Sequence, residues 1–413
     1  MKLLWLCNMA PGIAREKEGK GGLWMDHVLS DLRQRQDITI RILFPGKPGQ
    51  QGTPDERCSY VSFQNGLPYE YLQELEAWFG RELQEFAPDV IHIWGTEYAH
   101  TLAMVNAAEK EGLLDRLAVS IQGLCSEIAG QYANGVPAGI QKSATFRDLL
   151  RKDNILQQQE KFRLRGELEV QALQKVRHVI GRTHWDRAST EKINPNVSYH
   201  FCNETLREAF YEGAWQYDRC QKHRIFASSC EYPVKGFHYL LEALAEVVKV
   251  YPDATVAVTG KSFFAPGFKA KLRRSGYRKY LEKLAKKYAL QDRIEFLGSL
   301  NAAQMKQQYL DANVFVLPST IENSPNSLGE AMLLGTPCVA ADVGGVTTML
   351  VNGTEGCVYA SSDTAALARH ICQIFSLEDR AEAMGAAARD HAKVTHDPEI
   401  NLKTLLSIYE SLR

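Results

Sequence analysis

Residues 318–337 of this 413-residue chain carry the side chains whose types and spacing could do chemistry. Glu322 lies in a polar loop with Ser324, Asn326 and Ser327, and Glu330 follows eight residues after Glu322. A helix beginning near Asn326 leaves the backbone N–H groups of Asn326, Ser327 and Leu328 without intrahelical acceptors. It also turns the positive end of its dipole toward the loop, and the two effects together favour a phosphate. Ser324, Asn326 and Ser327 add capping and donor groups. A carboxylate beside phosphates would repel them, so Glu330, about one turn further in, should point past them toward neutral hydroxyls such as those of a ribose. A polar loop that merely caps a helix is the competing reading of the same residues.

Such a loop needs a strand before it and a helix after it, and the chain supplies that alternation throughout. Short apolar runs read as strands at residues 2–7, 38–43, 90–94, 118–121 and 179–181, and again at 224–227, 255–259, 294–297, 314–317 and 338–341. Between them lie helical segments at 22–33, 69–86, 163–176, 276–288, 302–312 and 326–334. After Gly236, Leu240, Leu241, Leu244, Val247, Val248 and Tyr251 form one stripe at spacings of three and four, as a helix packed on a sheet requires. The alternation predicts an α/β protein with two doubly wound, Rossmann-like domains facing across a cleft. The expected boundaries are 1–205, a linker at 206–222, 223–395, and a last helix within 396–413. Asp397 and Pro398 would cap and start that helix, which could pack back on the N-terminal domain.

Bulk properties narrow the class. Lys and Arg number 48 against 49 Asp and Glu, so no nucleic-acid footprint is expected. No run approaches membrane-span length, and residues 1–7 are too short for a signal-peptide core, which together predict a cytoplasmic protein. The nine cysteines are scattered without a CxxC pair, as free thiols in a reducing compartment would be. There is no Asp-x-Asp, and His92, His100, His184 and His200 lack ligand spacing, so no metal site is expected. Residues 269–287 hold nine Lys and Arg against one acidic residue, preceded by Phe263, Phe264 and Phe268. This run is a candidate for peripheral contact with an anionic membrane, against the alternative of a solvated helix face. Residues 182–187 and 203–207 are candidates to line the cleft or to form an interdomain salt-bridge hinge.

The second half resembles the retaining glycosyltransferases of the glycosyl-group-1, glycogen-synthase-like family. The matching residues are Leu317-Pro318-Ser319, Glu322, Glu330, Ala331-Met332, Gly335-Thr336-Pro337-Cys338-Val339, Gly344-Gly345 and Asn352-Gly353-Thr354-Glu355-Gly356. Lys235-Gly236 matches the family's phosphate-binding Lys-Gly, and Phe296-Leu297-Gly298 matches its turn beside the nucleotide base, with Leu300 just after it. Gly21-Gly22 stands where the family has a glycine-rich loop. The resemblance implies a GT-B fold, a nucleotide-diphosphate sugar as donor, a carbohydrate or lipid-linked acceptor, and no cofactor beyond the donor itself. It gives Lys235 the leaving diphosphate, Glu322 the donor sugar and Glu330 the ribose. Gly21 and Gly22 would let backbone approach the diphosphate. Three positions depart from the family. Ser229 and Cys230 stand where an Arg precedes the Lys, Gln122 stands in place of a His, and Thr348 in place of a Glu after the Gly-Gly turn. The rival readings are a GT-B sugar-nucleotide epimerase and a non-catalytic nucleotide-sugar-binding protein.

Overall fold

The computed structural model describes residues 1–14, 24–264 and 267–413. The chain forms two compact units. Unit 1 comprises Met1–Ala129, Lys161–Arg207 and His396–Arg413, and unit 2 comprises Gly130–Glu160 and Glu208–Thr395.

Unit 1 is built on β1 (Lys2–Cys7), β2 (Thr39–Pro45), β3 (Gln51–Asp55), β4 (Cys58–Phe63), β5 (Val90–Trp94), β6 (Leu117–Ser120), β7 (His178–Gly181) and β8 (Ser198–Phe201). They form one sheet in the order β3-β4-β2-β1-β5-β6-β7-β8, parallel except for the antiparallel pair β3 and β4. Both faces of the central strands are covered, which is why β1 and β5 read as continuous apolar runs rather than alternating ones. Leu3 and Trp5 pack on one face with Met25, Leu29 and Tyr409. Leu4 and Leu6 pack on the other with Phe79, Leu83 and Leu102.

Unit 2 holds β9 (Arg224–Ala227), β10 (Thr255–Val258), β11 (Ile294–Phe296), β12 (Val314–Leu317), β13 (Cys338–Asp342) and β14 (Cys357–Ala360). The order is β11-β10-β9-β12-β13-β14, all parallel. Strand order reverses between β9 and β12 here, and between β1 and β5 in unit 1. In open α/β sheets the carboxyl ends of strands at such a reversal are where ligands bind. The helix Phe237–Val250 buries Leu240, Leu241, Leu244 and Val247, four of the six residues in the stripe that the spacing singles out.

The units differ from the expected boundaries over residues 130–160, which leave the first sheet and fold with unit 2. Their anchors are polar. His238 Nε2 donates to the Asn134 carbonyl at 3.1 Å, the Tyr239 hydroxyl to Asn134 Oδ1 at 2.9 Å, and the Gly276 amide to Asp148 Oδ2 at 2.8 Å. Hydrogen bonds of this kind leave no hydrophobic period in the sequence. The helix expected at 163–176 runs from Ile155 to Leu173, because the glutamines at its start favour helix without marking a face. The last helix is Pro398–Leu412, with Asp397 Oδ1 accepting from the Ile400 amide at 2.9 Å, and it belongs to unit 1. Strands β3, β4, β8 and β14 carry no strong period and were not expected.

Candidate functional site

The reversal in unit 2 gathers most of the residues that the sequence singled out. After β9 the chain makes a tight turn, Pro233–Lys235, that ends at Gly236 with φ 63°. The turn packs against the chain leaving β12, where the Thr320 amide donates to the Val234 carbonyl at 2.8 Å. A Cβ on Gly236 would run into the Pro318 carbonyl, so glycine is required both by its φ and by this close approach. The contact sets Lys235 beside Glu322. Lys235 Nζ lies 2.5 Å from Glu322 Oε1, and Ser319 Oγ donates to the same oxygen at 2.8 Å. The Gly344-Gly345 turn holds the Glu322 backbone from the other side. The Gly345 amide donates to the Glu322 carbonyl at 3.1 Å, and a Cβ on Gly344, at φ 53°, would strike that carbonyl.

The helix Asn326–Leu334 starts beside this pair. Its N-cap, Pro325, offers no side-chain cap, and the Asn326 and Ser327 amides have no hydrogen-bond partner among the described residues. The Leu328 amide turns back to the Pro325 carbonyl at 2.9 Å. Ser324 Oγ faces Met349 Sδ at 3.5 Å. Glu330 is buried at 4% exposure, with Oε2 3.2 Å from the Tyr309 hydroxyl, which also lies 3.0 Å from the Ser327 carbonyl.

A depression of about 290 Å³ opens at the carboxyl ends of β9, β10 and β11. Leu300 lies in its wall with Ser229, Glu231, Thr259, Gly260, Gly298, Ser299 and Met305. Gly260 and Gly298 bridge its floor through reciprocal amide–carbonyl bonds of 2.8 and 3.2 Å. Cys230, where the family has a cation, is 2% exposed and its thiol is pushed up to about 12 by burial. Arg278 reaches this loop from the helix Gly276–Lys287, its Nη2 3.0 Å from Glu231 Oε1. The sequence offered no local signal for Arg278, since only tertiary folding brings it there. Lys261 is exposed.

Other expected residues lie in unit 1. Gln122, after β6, donates from Nε2 to Glu204 Oε1 at 2.6 Å. Arg182, after β7, binds Glu204 Oε2 at 2.5 Å and the Gln122 and Ile121 oxygens at 3.3 Å. This buried pair lies wholly inside unit 1, so of the two readings open for residues 182–187 and 203–207 the interdomain hinge is not made by Arg182 with Glu204. The Gln122 side chain is thereby engaged, whereas its backbone carbonyl has no hydrogen bond among the described residues. Gly21 and Gly22 lie outside the described residues.

The reversal in unit 1 holds a second polar cluster, which no motif in the sequence marks. Asn8, after β1, donates from Nδ2 to Glu97 Oε2 at 2.7 Å, and His100 Nε2 lies 2.8 Å from Asn8 Oδ1. Burial lowers His100 to about 3, so it is neutral and gives its Nε2 proton to the amide oxygen. Burial also raises Glu97. The signal is one of position: Glu97 follows a strand and precedes a helix, as Glu322 does.

Phe263 is 1% exposed and packs against Phe237 and Phe296, so it belongs to the core. Arg274 and Lys286 both pair with Glu282. Among the described residues no helix is long and apolar enough to cross a membrane, and no cluster of three or more His, Cys, Asp or Glu is arranged to hold a metal ion.

Comparison with known proteins bears on the fold and on the second half of the chain. Residues 221–391 match the family model described as Glycosyl transferases group 1. A curated relative, the D-inositol 3-phosphate glycosyltransferase of Corynebacterium urealyticum, is 29% identical over 185 residues, 43% of this chain and 41% of the relative. The chain thus matches about four tenths of that relative's length. Sucrose-phosphate synthase from Thermosynechococcus elongatus superposes with a TM-score of 0.71 at 16% identity, covering 100% of this chain and 99% of the other. Anabaena HepE in complex with UDP-glucose gives 0.67 at 17%, covering 99% and 100%. These structural likenesses concern the fold, which is GT-B. The likeness to the group 1 glycosyl transferases spans residues 221–391.

Proposed function

We propose that this chain is a cytoplasmic, retaining glycosyltransferase that moves a hexose from a nucleotide-diphosphate sugar to an acceptor hydroxyl without a metal ion, in polysaccharide or glycolipid biosynthesis. The observation that carries this reading is the meeting of Lys235, Glu322 and an uncapped helix N-terminus at the strand reversal of unit 2. The diphosphate lies against the Asn326 and Ser327 amides and Lys235. An ammonium has three donors, and the one spent on Glu322 leaves two for phosphate oxygens. Glu330 takes the ribose, the depression walled by Leu300 takes the base, and Glu322 holds the sugar.

In the reaction the bond from the anomeric carbon to the phosphate oxygen breaks, and the acceptor oxygen bonds that carbon on the same face. The acceptor proton passes to the departing phosphate. Negative charge grows on the phosphate as the bond breaks, and Lys235 with the helix terminus meets it in place. In unit 1, the Gln122 backbone carbonyl and the Glu97–Asn8 pair are each suited to hydrogen-bond a hydroxyl. The UDP-glucose bound in HepE and the inositol phosphate named for the curated relative support this class of donor and a polar acceptor.

The test incubates the full chain with UDP-, GDP- and ADP-sugars, with and without a panel of hydroxyl acceptors, in EDTA. Nucleoside diphosphate released only with acceptor, and a glycosylated product of unchanged anomeric configuration, are expected. An altered free sugar formed without acceptor would identify the epimerase, and donor binding without turnover a sugar-nucleotide-binding protein.

A further inference from the structure

The short helix Phe146–Arg151 in unit 2 is packed the wrong way round for a soluble surface. Phe146, Leu149 and Leu150, spaced three and four apart on one face, are 58%, 67% and 71% exposed. The fully buried side chain of this helix is an aspartate, Asp148, at 0%. Asp148 closes a capping box with Thr145, pairs with Arg147 at 2.9 Å, and accepts the Gly276 amide at 2.8 Å. These bonds fix the rotation of the helix and hold its apolar face outward. A helix free to turn would bury that face.

The exposed charged residues that flank this helix in the chain share one sign. Lys142, Arg151 and Lys152 are exposed, and their side chains have no ion-pair partner among the described residues. Asp148 and Asp153 are both paired with Arg147. Lys271 and Arg273, just before Gly276 on the segment that Asp148 binds, are exposed as well, with Leu272 at 37% between them. Apolar side chains ringed by unpaired cations match a surface with phosphate headgroups above acyl chains.

We propose that this face, Phe146, Leu149 and Leu150 within Lys142, Arg151 and Lys152, docks the chain on an anionic lipid surface. The apolar side chains enter the headgroup boundary and the cations lie at phosphate level. This interaction stands apart from the sugar-transfer reading, since none of these residues belongs to the donor site.

The experiment is co-sedimentation of the full chain with phosphatidylcholine vesicles containing or lacking phosphatidylglycerol. Binding to the phosphatidylglycerol vesicles is expected, weakening steeply as salt rises. The triple variant Phe146→Ser, Leu149→Ser, Leu150→Ser should reduce partitioning by about tenfold or more. Its melting temperature should not fall, because the replaced side chains are exposed. The pair Arg151→Glu and Lys152→Glu provides an independent loss of binding, whereas Lys283→Glu with Lys287→Glu, toward the far end of the basic run, should leave it intact. Equal binding to both vesicle types, unchanged binding in the triple variant, or binding lost only with the Lys283 and Lys287 changes would overturn the proposal. So would a chain that ignores vesicles and forms a dimer which the triple variant dissociates.

Discussion

Lys235 has its position imposed by backbone on one side and by an acid on the other. The Pro233–Lys235 turn cannot shift without losing the Gly236 approach to Pro318, and Glu322 holds the ammonium at 2.5 Å. Lys235→Ala should therefore lower kcat by about 10²-fold or more while leaving the fold intact, because a charge that meets the leaving group is lost. Unchanged turnover would remove Lys235 from the mechanism. Gly236→Ala should act on structure first, costing about 2 kcal/mol or more in urea denaturation, since its Cβ meets a carbonyl that cannot move freely. In unit 1, Glu169 accepts from Thr96 Oγ1 at 2.6 Å and from the Cys125 and Ser126 amides at 3.0 Å, yet burial pushes it up to about 7 from an ordinary 4.5. A carboxyl raised on folding keeps its proton in the native state after the unfolded chain has released it. Stability from this group is full below about pH 4.5 and falls by up to about 3 kcal/mol as pH rises to about 7. Denaturation midpoints across that range should fall less steeply in Glu169→Gln, where Glu97 and Glu204, also raised by burial, keep part of the slope, than in the wild type.

The helix Pro398–Leu412 shows how an element far away in sequence completes a core. Tyr409 is fully buried, its hydroxyl 2.6 Å from His92 Nδ1 and 3.2 Å from Trp5 Nε1, and His92 Nε2 reaches Ser120 Oγ at 2.7 Å. Burial lowers His92 to about 3, so the ring is neutral and the network carries no charge. Tyr409→Phe keeps the ring packing but leaves two buried polar groups without a partner. It should cost about 2–4 kcal/mol in urea denaturation of the full chain, more than the loss of one hydroxyl's bond. A cost below about 0.5 kcal/mol would mean that water replaces the hydroxyl. The segment Gly130–Glu160 is the other element that depends on distant partners. Its Gln131 carbonyl lies 3.2 Å from Thr320 Oγ1, beside the Lys235 turn, so this excursion buttresses the candidate donor site from outside the second sheet.

At the scale of the whole molecule, the two sheets repeat one device: polar residues collected where strand order reverses. A matching nucleotide sugar at 100 times its Kd should add about 2.7 kcal/mol to the unit that binds it. A thermal-shift screen of UDP-, GDP- and ADP-sugars should then raise one transition for the correct base, and Glu330→Ala should diminish that shift more than Glu322→Ala does. The strands β1, β5, β9 and β12 were legible because burial on both faces writes a continuous apolar run, and the Phe237–Val250 helix because one buried face writes a period. Glu322, Glu330 and Asn326 were legible because a loop between a strand and a helix keeps its neighbours in sequence order. What only the tertiary structure decided is every pairing across that order: Lys235 with Glu322, Arg278 with Glu231, Gln122 with Arg182 and Glu204, and residues 130–160 with unit 2. Local sequence carries hydrophobic period and turn chemistry. Hydrogen bonds between residues tens of positions apart leave no such trace, because either partner alone reads as an ordinary polar side chain.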